Sequence, residues 1–121
     1  MNATAVNEAR RRLQGTWRSD KARTIQNWVF PKKVAAARLK AFHDIFGENT
    51  WRFARSICHL EFDGLRLKAK YDILWADQWS VVVVFRLPDR EKCYQLFFED
   101  EYFYLAAGKA GNAEYFGRVD A

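Results

Sequence analysis

The chain has 121 residues, a formal net charge of +5 and an aromatic content of 17%. This length suits one domain with one core, and so many rings exclude a largely disordered chain. No apolar run approaches the roughly 20 residues that a membrane-spanning helix needs. The basic residues are spread over several segments and mixed with acidic ones, which favours a solvated surface over a nucleic-acid-binding patch. We therefore expect neither a nucleic-acid partner nor a membrane partner.

Two features of the sequence bear on cellular location. Residues 1–12 contain no apolar stretch of the kind found in a secretory signal. Cys58 and Cys93 lie far apart and lack the spacing of a redox or zinc motif. We expect both thiols to be reduced and the protein to be cytoplasmic.

The N-terminal part predicts short helices around one strand. Residues 3–12 are polar and rich in Ala and Arg, which favours a helix, and residues 13–19 follow as the first strand. Ser19 or Asp20 can accept hydrogen bonds from the free amides of a next helix, which we place over about 20–28.

A second helix is predicted over 34–46. Pro31 suits its first turn, and Gly47 is a natural end. Apolar residues recur at spacings of three and four, which gives one apolar stripe. Its members are Ala35, Leu39, Phe42 and Phe46, widened by Val34, Ala41 and Ile45. We expect this helix to pack on a neighbouring element.

From residue 50 the pattern changes to the period of two that is typical of half-buried strands. Asp63-Gly64 predicts a tight hairpin turn, because Gly tolerates a positive φ. It joins a strand at about 56–62 to a strand at 65–75. The apolar residues of that second strand are Leu65, Leu67, Ala69, Tyr71, Ile73 and Trp75.

The remaining segments complete a meander of about eight strands. The apolar run from Val81 to Val84 predicts that the strand at 79–87 is covered on both faces, with the 34–46 helix on its outer face. Short connections indicate antiparallel neighbours, and eight of them close into an up-and-down barrel without exposed edges. An open, strongly bent sheet wrapped on the helix is the alternative. The other predicted strands are 50–55, 91–98, 101–106 and 113–119.

Motifs at opposite ends of the chain resemble those of the lipocalin-like (calycin) superfamily. Gly15-Thr16-Trp17 opens the first strand, Phe46-Gly47 ends the second helix, and a Tyr-Phe-x-Arg-Val run closes the last strand over 115–119. The helix pair after the first strand is similar to that of fatty-acid-binding proteins, and the whole order resembles small bacterial lipocalin-like domains without a known activity. The resemblance covers most of the chain and implies a mainly β barrel with a helical insertion.

The same motifs predict how the barrel closes. First and last strands are neighbours in a closed barrel, so Arg118 can lay its guanidinium on the ring of Trp17, while Gly15 leaves room for the approach. We assign Gly15, Trp17 and Arg118 to barrel closure. Fatty-acid-binding proteins typically hold a carboxylate with an Arg-x-Tyr pair, whereas Asp120 stands at the Tyr position here. Fatty-acid binding is therefore not carried over.

Binding of a small hydrophobic or amphipathic molecule inside the barrel is the best functional hypothesis from sequence. Eight strands enclose an interior that is either filled by side chains or holds one small ligand, and 5 Trp, 5 Tyr and 10 Phe make filling a serious alternative. A filled-barrel interaction module and a lipocalin-like enzyme are the other hypotheses. The candidate ligand-binding residues are Tyr71, Trp75, Tyr94, Tyr102 and Tyr104.

Nothing in the sequence forms a recognisable catalytic or metal motif. There is no P-loop, nucleophile elbow or zinc signature. His43 and His59 are isolated in the sequence. Neither Glu61 nor Glu114 lies at a spacing that would pair it with a base or an oxyanion donor. We predict no catalytic residue, no metal and no cofactor.

Overall fold

The structure is a computed structural model that describes residues 3–30, 35–62, 64–107 and 112–119, apart from the side chains of residues 42 and 43. Three helices and eight strands lie within these ranges. In chain order they are α1 (Ala3–Leu13), β1 (Gly15–Ser19), α2 (Lys21–Gln26), α3 (Ala36–Asp44), β2 (Thr50–Phe53), β3 (Ile57–Phe62), β4 (Leu65–Ala76), β5 (Ser80–Arg86), β6 (Glu91–Glu99), β7 (Tyr102–Ala106) and β8 (Ala113–Val119).

The eight strands form one closed antiparallel barrel. Each strand pairs with the next in the chain, and β1 also pairs with β8, which leaves no free edge. The predicted up-and-down barrel with a helical insertion after the first strand is confirmed. The alternative of an open sheet is wrong, because residues 16–19 of β1 form a continuous ladder with residues 116–119 of β8.

Helix α1 seals one end of the barrel, which we call the lower end. Ala9 and Leu13 are buried in the core, and the helix packs against β4 and β5. The opposite, upper end carries the β3–β4 hairpin and the connection from β1 through α2 and α3 to β2. Within the described ranges, no helix combines the length and apolar composition required to cross a bilayer.

Helix α2 begins as the sequence predicts and lies against the outside of β8. The Asp20 carboxylate accepts a hydrogen bond from the backbone N–H of Arg23 at 3.0 Å, which caps the helix. The buried Thr24 hydroxyl accepts from the backbone N–H of Tyr115 at 2.9 Å. This bond fixes the helical insertion to the barrel wall.

Helix α3 does not have the covering role predicted for it. Of its described side chains only Leu39 is half-buried, and Ile45 beyond its end is exposed, whereas Phe46 is buried. The helix that packs against β5 is α1, while Val84 on the outer face of β5 is buried between its cross-strand neighbours on β4 and β6. Ala36, Ala37 and Ala41 are three of the nine residues of α3, and alanine buries little apolar area, so the drive to pack is weak. Residues 31–34 lie outside the described part.

Strand β4 begins at a tight turn and departs from strict alternation near its other end. Gly64 has φ of 79° and the register pairs Phe62 with Leu65, which confirms the two-residue hairpin, although Asp63 itself is not described. Near the other end, the register shifts between Ile73 and Trp75. Such a bulge places one extra residue in the strand and reverses the face of those that follow.

Candidate functional site

Only two of the five residues predicted to bind a ligand face the barrel interior. Tyr71 is buried in the lower half, where its hydroxyl donates to the carbonyl of Ala54 at 2.6 Å and accepts from the side chain of Gln14 at 3.1 Å. Tyr94 is half-buried, and its ring lies 5.5 Å from that of Trp51. The Tyr71 hydroxyl is satisfied by the protein itself, so Tyr94 is the better placed of the two.

Trp75 lies on the outer surface, contrary to the interior position predicted for it. It pairs with Val82, which faces away from the core, and it is largely solvent-exposed. The bulge after Ile73 is the cause, because it turns both Leu74 and Trp75 outward.

Tyr102 and Tyr104 also lie on the outer surface. Their common neighbour Phe103 is fully buried inside, so alternation sends both tyrosines outward. The ring of Tyr104 stacks on Phe97 with centroids 5.3 Å apart, and the guanidinium of Arg23 lies 4.1 Å from the ring centroid of Tyr102. The Arg23 contact holds α2 on the barrel wall, and the Tyr104 stack joins β7 to β6. The sequence pattern does not reveal these structural uses.

Aromatic rings fill the lower and central interior. Trp51 is at the middle of this aromatic core, and its ring contacts five others at centroid distances between 4.9 and 6.3 Å. The members of the aromatic core are Trp17, Trp51, Phe53, Tyr71, Phe85, Tyr94, Phe103 and Phe116. Space for a ligand in this part of the barrel is taken by side chains.

Above the aromatic core, the β3–β4 hairpin presents apolar side chains to the barrel axis. Leu60 and Leu67 pair with each other in the cross-strand row of Trp51, and Phe62 and Leu65 form the next pair on the same face. Leu67, Phe62 and Leu65 are nevertheless exposed, because the hairpin rises beyond the end of the closed wall. We call these four residues the mouth wall.

A partly buried carboxylate lies at the same upper end of the barrel. Glu114 accepts a hydrogen bond from the Ser19 hydroxyl at 2.6 Å, and Ser19 in turn accepts from the backbone N–H of Gly47 at 3.1 Å. Burial raises the pKa of Glu114 above its ordinary value, and hydrogen bonds from Ser19 and Asn49 oppose that rise. Glu114 shares its face with Leu105 and Phe116, which are both in the core. Its carboxyl group therefore belongs to the inner side of the barrel.

Glu114→Gln should change the pH dependence of stability. A raised pKa means that the folded protein holds the carboxyl proton more tightly than the unfolded chain, so stability falls as pH rises through the ordinary value of 4.5 and levels off above the raised pKa. Glutamine keeps an acceptor for Ser19 without a charge. We expect the stability of the variant relative to the native protein to increase over that pH interval, as measured by urea unfolding at several pH values.

An equal pH dependence for the native protein and Glu114→Gln would contradict the desolvated environment of the carboxyl group. Glu61→Gln is the matched control, since that carboxylate is half exposed and forms only a 3.5 Å ion pair with Arg66. A change in the slope of stability against pH as large as that of Glu114→Gln would indicate a general effect of removing one carboxylate.

The predicted closure contact is present at the lower end. The Arg118 guanidinium lies 4.2 Å from the ring centroid of Trp17, its direct partner in the β1–β8 ladder. It donates to the backbone carbonyl of Arg12 in the last turn of α1 and to that of Gln14 just beyond the helix. Gly15 has φ of 112°, and a Cβ there would lie 3.1 Å from the Arg118 guanidinium. These groups join the helix to the first and last strands.

The Cys58 thiol is buried in the core, and the Cys93 and His59 side chains face outward from the barrel. Burial raises the pKa of the Cys58 thiol to about 12, so this buried group is unreactive at neutral pH. Cys93 is exposed and free. His59 lies on the outer face of β3, while the His43 side chain lies outside the described part.

Sequence reasoning missed Ser19, Asn49 and the mouth wall. A signal for the wall was present, because Phe62 and Leu65 flank the hairpin turn where solvated loops normally carry polar residues. No local sequence pattern could indicate the polar group around Glu114, because the hydrogen bond between Ser19 and Glu114 joins residues 95 positions apart in the sequence.

A groove lies at the lower end of the barrel, between α1 and the β4–β5 turn. Its volume is about 670 Å³, and Glu8, Arg12, Asp77 and the exposed Trp79 are among its lining residues. It is separate from the mouth, at the opposite end of the barrel.

A comparison with protein-family models, curated proteins and solved structures found no match for the chain. The likeness to lipocalin-like proteins therefore stays a prediction from the sequence motifs. The barrel architecture itself is shown by the strand pairing.

Proposed function

We propose that the protein binds a small amphipathic molecule at the mouth of the barrel, above the aromatic core. The observation that carries this proposal is the mouth wall, in which Phe62, Leu65 and Leu67 lie on the inner face of the hairpin and yet remain exposed. Exposed apolar groups lining a concave end favour a ligand, because burying them against an apolar body removes them from water. The sequence predicted a ligand inside the barrel, whereas we propose a ligand site at its upper end.

The polar group at the mouth indicates the chemistry of the ligand. Glu114 is acceptor-only when ionised, and its burial strengthens an interaction with a cation or hydrogen-bond donor. An amine at one end of an apolar ligand would suit it, whereas a carboxylate would be repelled. A cytoplasmic location is part of this proposal, since Cys58 and Cys93 are both free thiols, as is usual in a reducing compartment.

Leu67→Asp should weaken binding at the mouth, while Leu74→Asp should not. Both leucines lie on β4 with similar exposure, 43% and 49%, but Leu67 faces the axis and Leu74 faces outward from the bulge. A charge at Leu67 must be desolvated by an apolar ligand, so we expect about a tenfold loss of affinity or more. Fluorescence titration with Nile red, a neutral apolar dye, measures it.

Competition and mass measurements complete the test. Dodecylamine below its micelle concentration should displace the dye better than dodecanoate, and Glu114→Gln should remove that difference. Native mass spectrometry of freshly purified protein should show a bound molecule. No dye binding by the native chain, or equal losses in both leucine variants, would overturn the proposal.

A filled interior favours a second candidate, an interaction module that binds another protein through its surface. The lower groove beside α1, flanked by the exposed Trp79, is the surface that such a module would use. A clean apo mass together with no dye binding would favour this candidate. We do not propose catalysis, because the hydrogen-bond partners of Glu114 are Ser19 and Asn49, neither of them a general base or a cation.

A further inference from the structure

A row of basic groups crosses the outer face of the barrel wall. Arg52 on β2, His59 on β3 and Lys68 on β4 are successive cross-strand partners, and Thr16 on β1 begins the row. Side chains of direct partners have Cβ atoms about 4.5–5.5 Å apart. The pKa of His59 is lowered, so its imidazole is mainly neutral at neutral pH, and an anion would offset the positive charges of Arg52 and Lys68 on either side of it.

The neighbouring row does not supply that anion. Arg18, Thr50, Glu61 and Arg66 form it in the same strand order. Glu61 is its only carboxylate, and its partner is Arg66 at 3.5 Å. Among the described residues, no ion pair within 4.0 Å involves Arg52 or Lys68.

A groove of about 380 Å³ lies over these two rows. Thr16, Thr50, Arg52, His59, Glu61 and Arg66 are among the residues that line it. The volume is in the range of small-ligand sites, and the lining supplies guanidinium, imidazole and two hydroxyl donors. Lys68 is the cross-strand partner of His59 but is not itself a lining residue. Glu61 is the one lining group that would repel an anion, and Arg66 partly neutralises it.

We propose that this groove binds a phosphate group, either as inorganic phosphate or as the end of a small phosphate ester. The planar fork of Arg52 can donate two parallel hydrogen bonds to phosphate oxygens, while Lys68 and an imidazolium at His59 supply further positive charge. Thr16 and Thr50 can donate to the remaining oxygens. The polar donors of the site lie on the outer face of the barrel wall, whereas Leu60 and Leu67 of the mouth wall also line the groove.

His59 can report on occupancy. Its pKa is lowered by desolvation and then by the charges of Arg52 and Lys68. Glu61 on its own strand and Arg66 on β4 are the other charged groups of the groove, and β1 contributes only Thr16. A bound phosphate favours the imidazolium, so it should raise the pKa of His59.

The test is a proton NMR titration of the histidine Hε1 signals against pH, with the His59 signal identified by its loss in His59→Asn. At constant ionic strength, replacing chloride with phosphate or phenyl phosphate should raise the pKa of His59 by roughly one unit, in a saturable way. Arg52→Gln should remove most of the phosphate effect. Arg11→Gln, which deletes the same charge on the exposed side of α1, should keep it.

Three outcomes would overturn the proposal. One is an equal pKa of His59 in phosphate and chloride. Another is a phosphate effect that Arg52→Gln and Arg11→Gln reduce alike, which would indicate general screening. The third is a response to single-stranded oligothymidylate without any response to phosphate or phenyl phosphate, which would indicate a polyanion-binding face.

Discussion

Trp17→Ala is expected to lower the free energy of unfolding by about 3–5 kcal/mol, the range for truncating a large core aromatic. Only 1% of the residue is exposed, its ring packs 4.8 Å from that of Phe103, and its indole N–H donates to the carbonyl of Leu13 at 2.8 Å. The substitution removes all three contributions at once. Urea unfolding followed by circular dichroism measures the change, and Trp79→Ala at a 65% exposed site is the control, with an expected change within about 0.5 kcal/mol.

A double-mutant cycle isolates the contact with Arg118. The guanidinium lies against the Trp17 ring, so Arg118→Ala should cost less when Trp17 is already alanine. We expect a coupling of about 0.5–2 kcal/mol. Strict additivity would show that Arg118 acts through its bonds to the carbonyls of Arg12 and Gln14 and to Glu101, and not through the Trp17 ring.

Trp51→Ala should cost a similar amount, about 3–5 kcal/mol, for a different reason. Trp51 is 8% exposed and occupies the centre of the aromatic core, so its removal leaves a cavity walled by rings. Apolar cavities of this size bind small aromatic molecules. Indole should therefore raise the melting temperature of the variant, by the mass-action effect of a ligand that binds only the folded state.

Trp75→Ala provides the matched control for Trp51→Ala. Both residues sit on strands and both changes delete an indole, but Trp75 is 43% exposed on the outer face. We expect a cost well below that of Trp51→Ala and no stabilisation by indole, as measured by thermal unfolding. Equal costs would contradict the assignment of inner and outer faces.

The fold could be predicted from sequence to a large extent because local residue patterns identify the strands of a barrel. The period of two over 65–73, the Asp-Gly turn and the short connections need no knowledge of distant residues. The closure of Trp17 with Arg118 came from two motifs at opposite ends, and the ladder between β1 and β8 contains that pair. The packing partner of α3 was harder to predict, because an apolar stripe shows which side of a helix is apolar and does not show which element covers it.

The candidate site was predicted less well, and the reason lies in register. A shift of the strand register by one residue would exchange the inward and outward faces of β7. The burial of Phe103 in the structure shows that Tyr104 faces outward. Trp75 depends on a bulge that leaves no mark in the sequence. Ser19 and Glu114 meet only after the barrel has closed, so no local pattern could have placed them together.

The bonds from Arg118 to α1 also constrain the order in which the chain can fold. The guanidinium reaches carbonyls 104 and 106 positions earlier in the chain, so the end of the first helix is completed by the last strand. Contacts so distant in sequence carry a large loop-closure entropy and slow folding. During synthesis, α1 and β1 must wait for β8 to leave the ribosome before the barrel can seal. Until then, the edges of β1 and β7 are open to pairing with other chains.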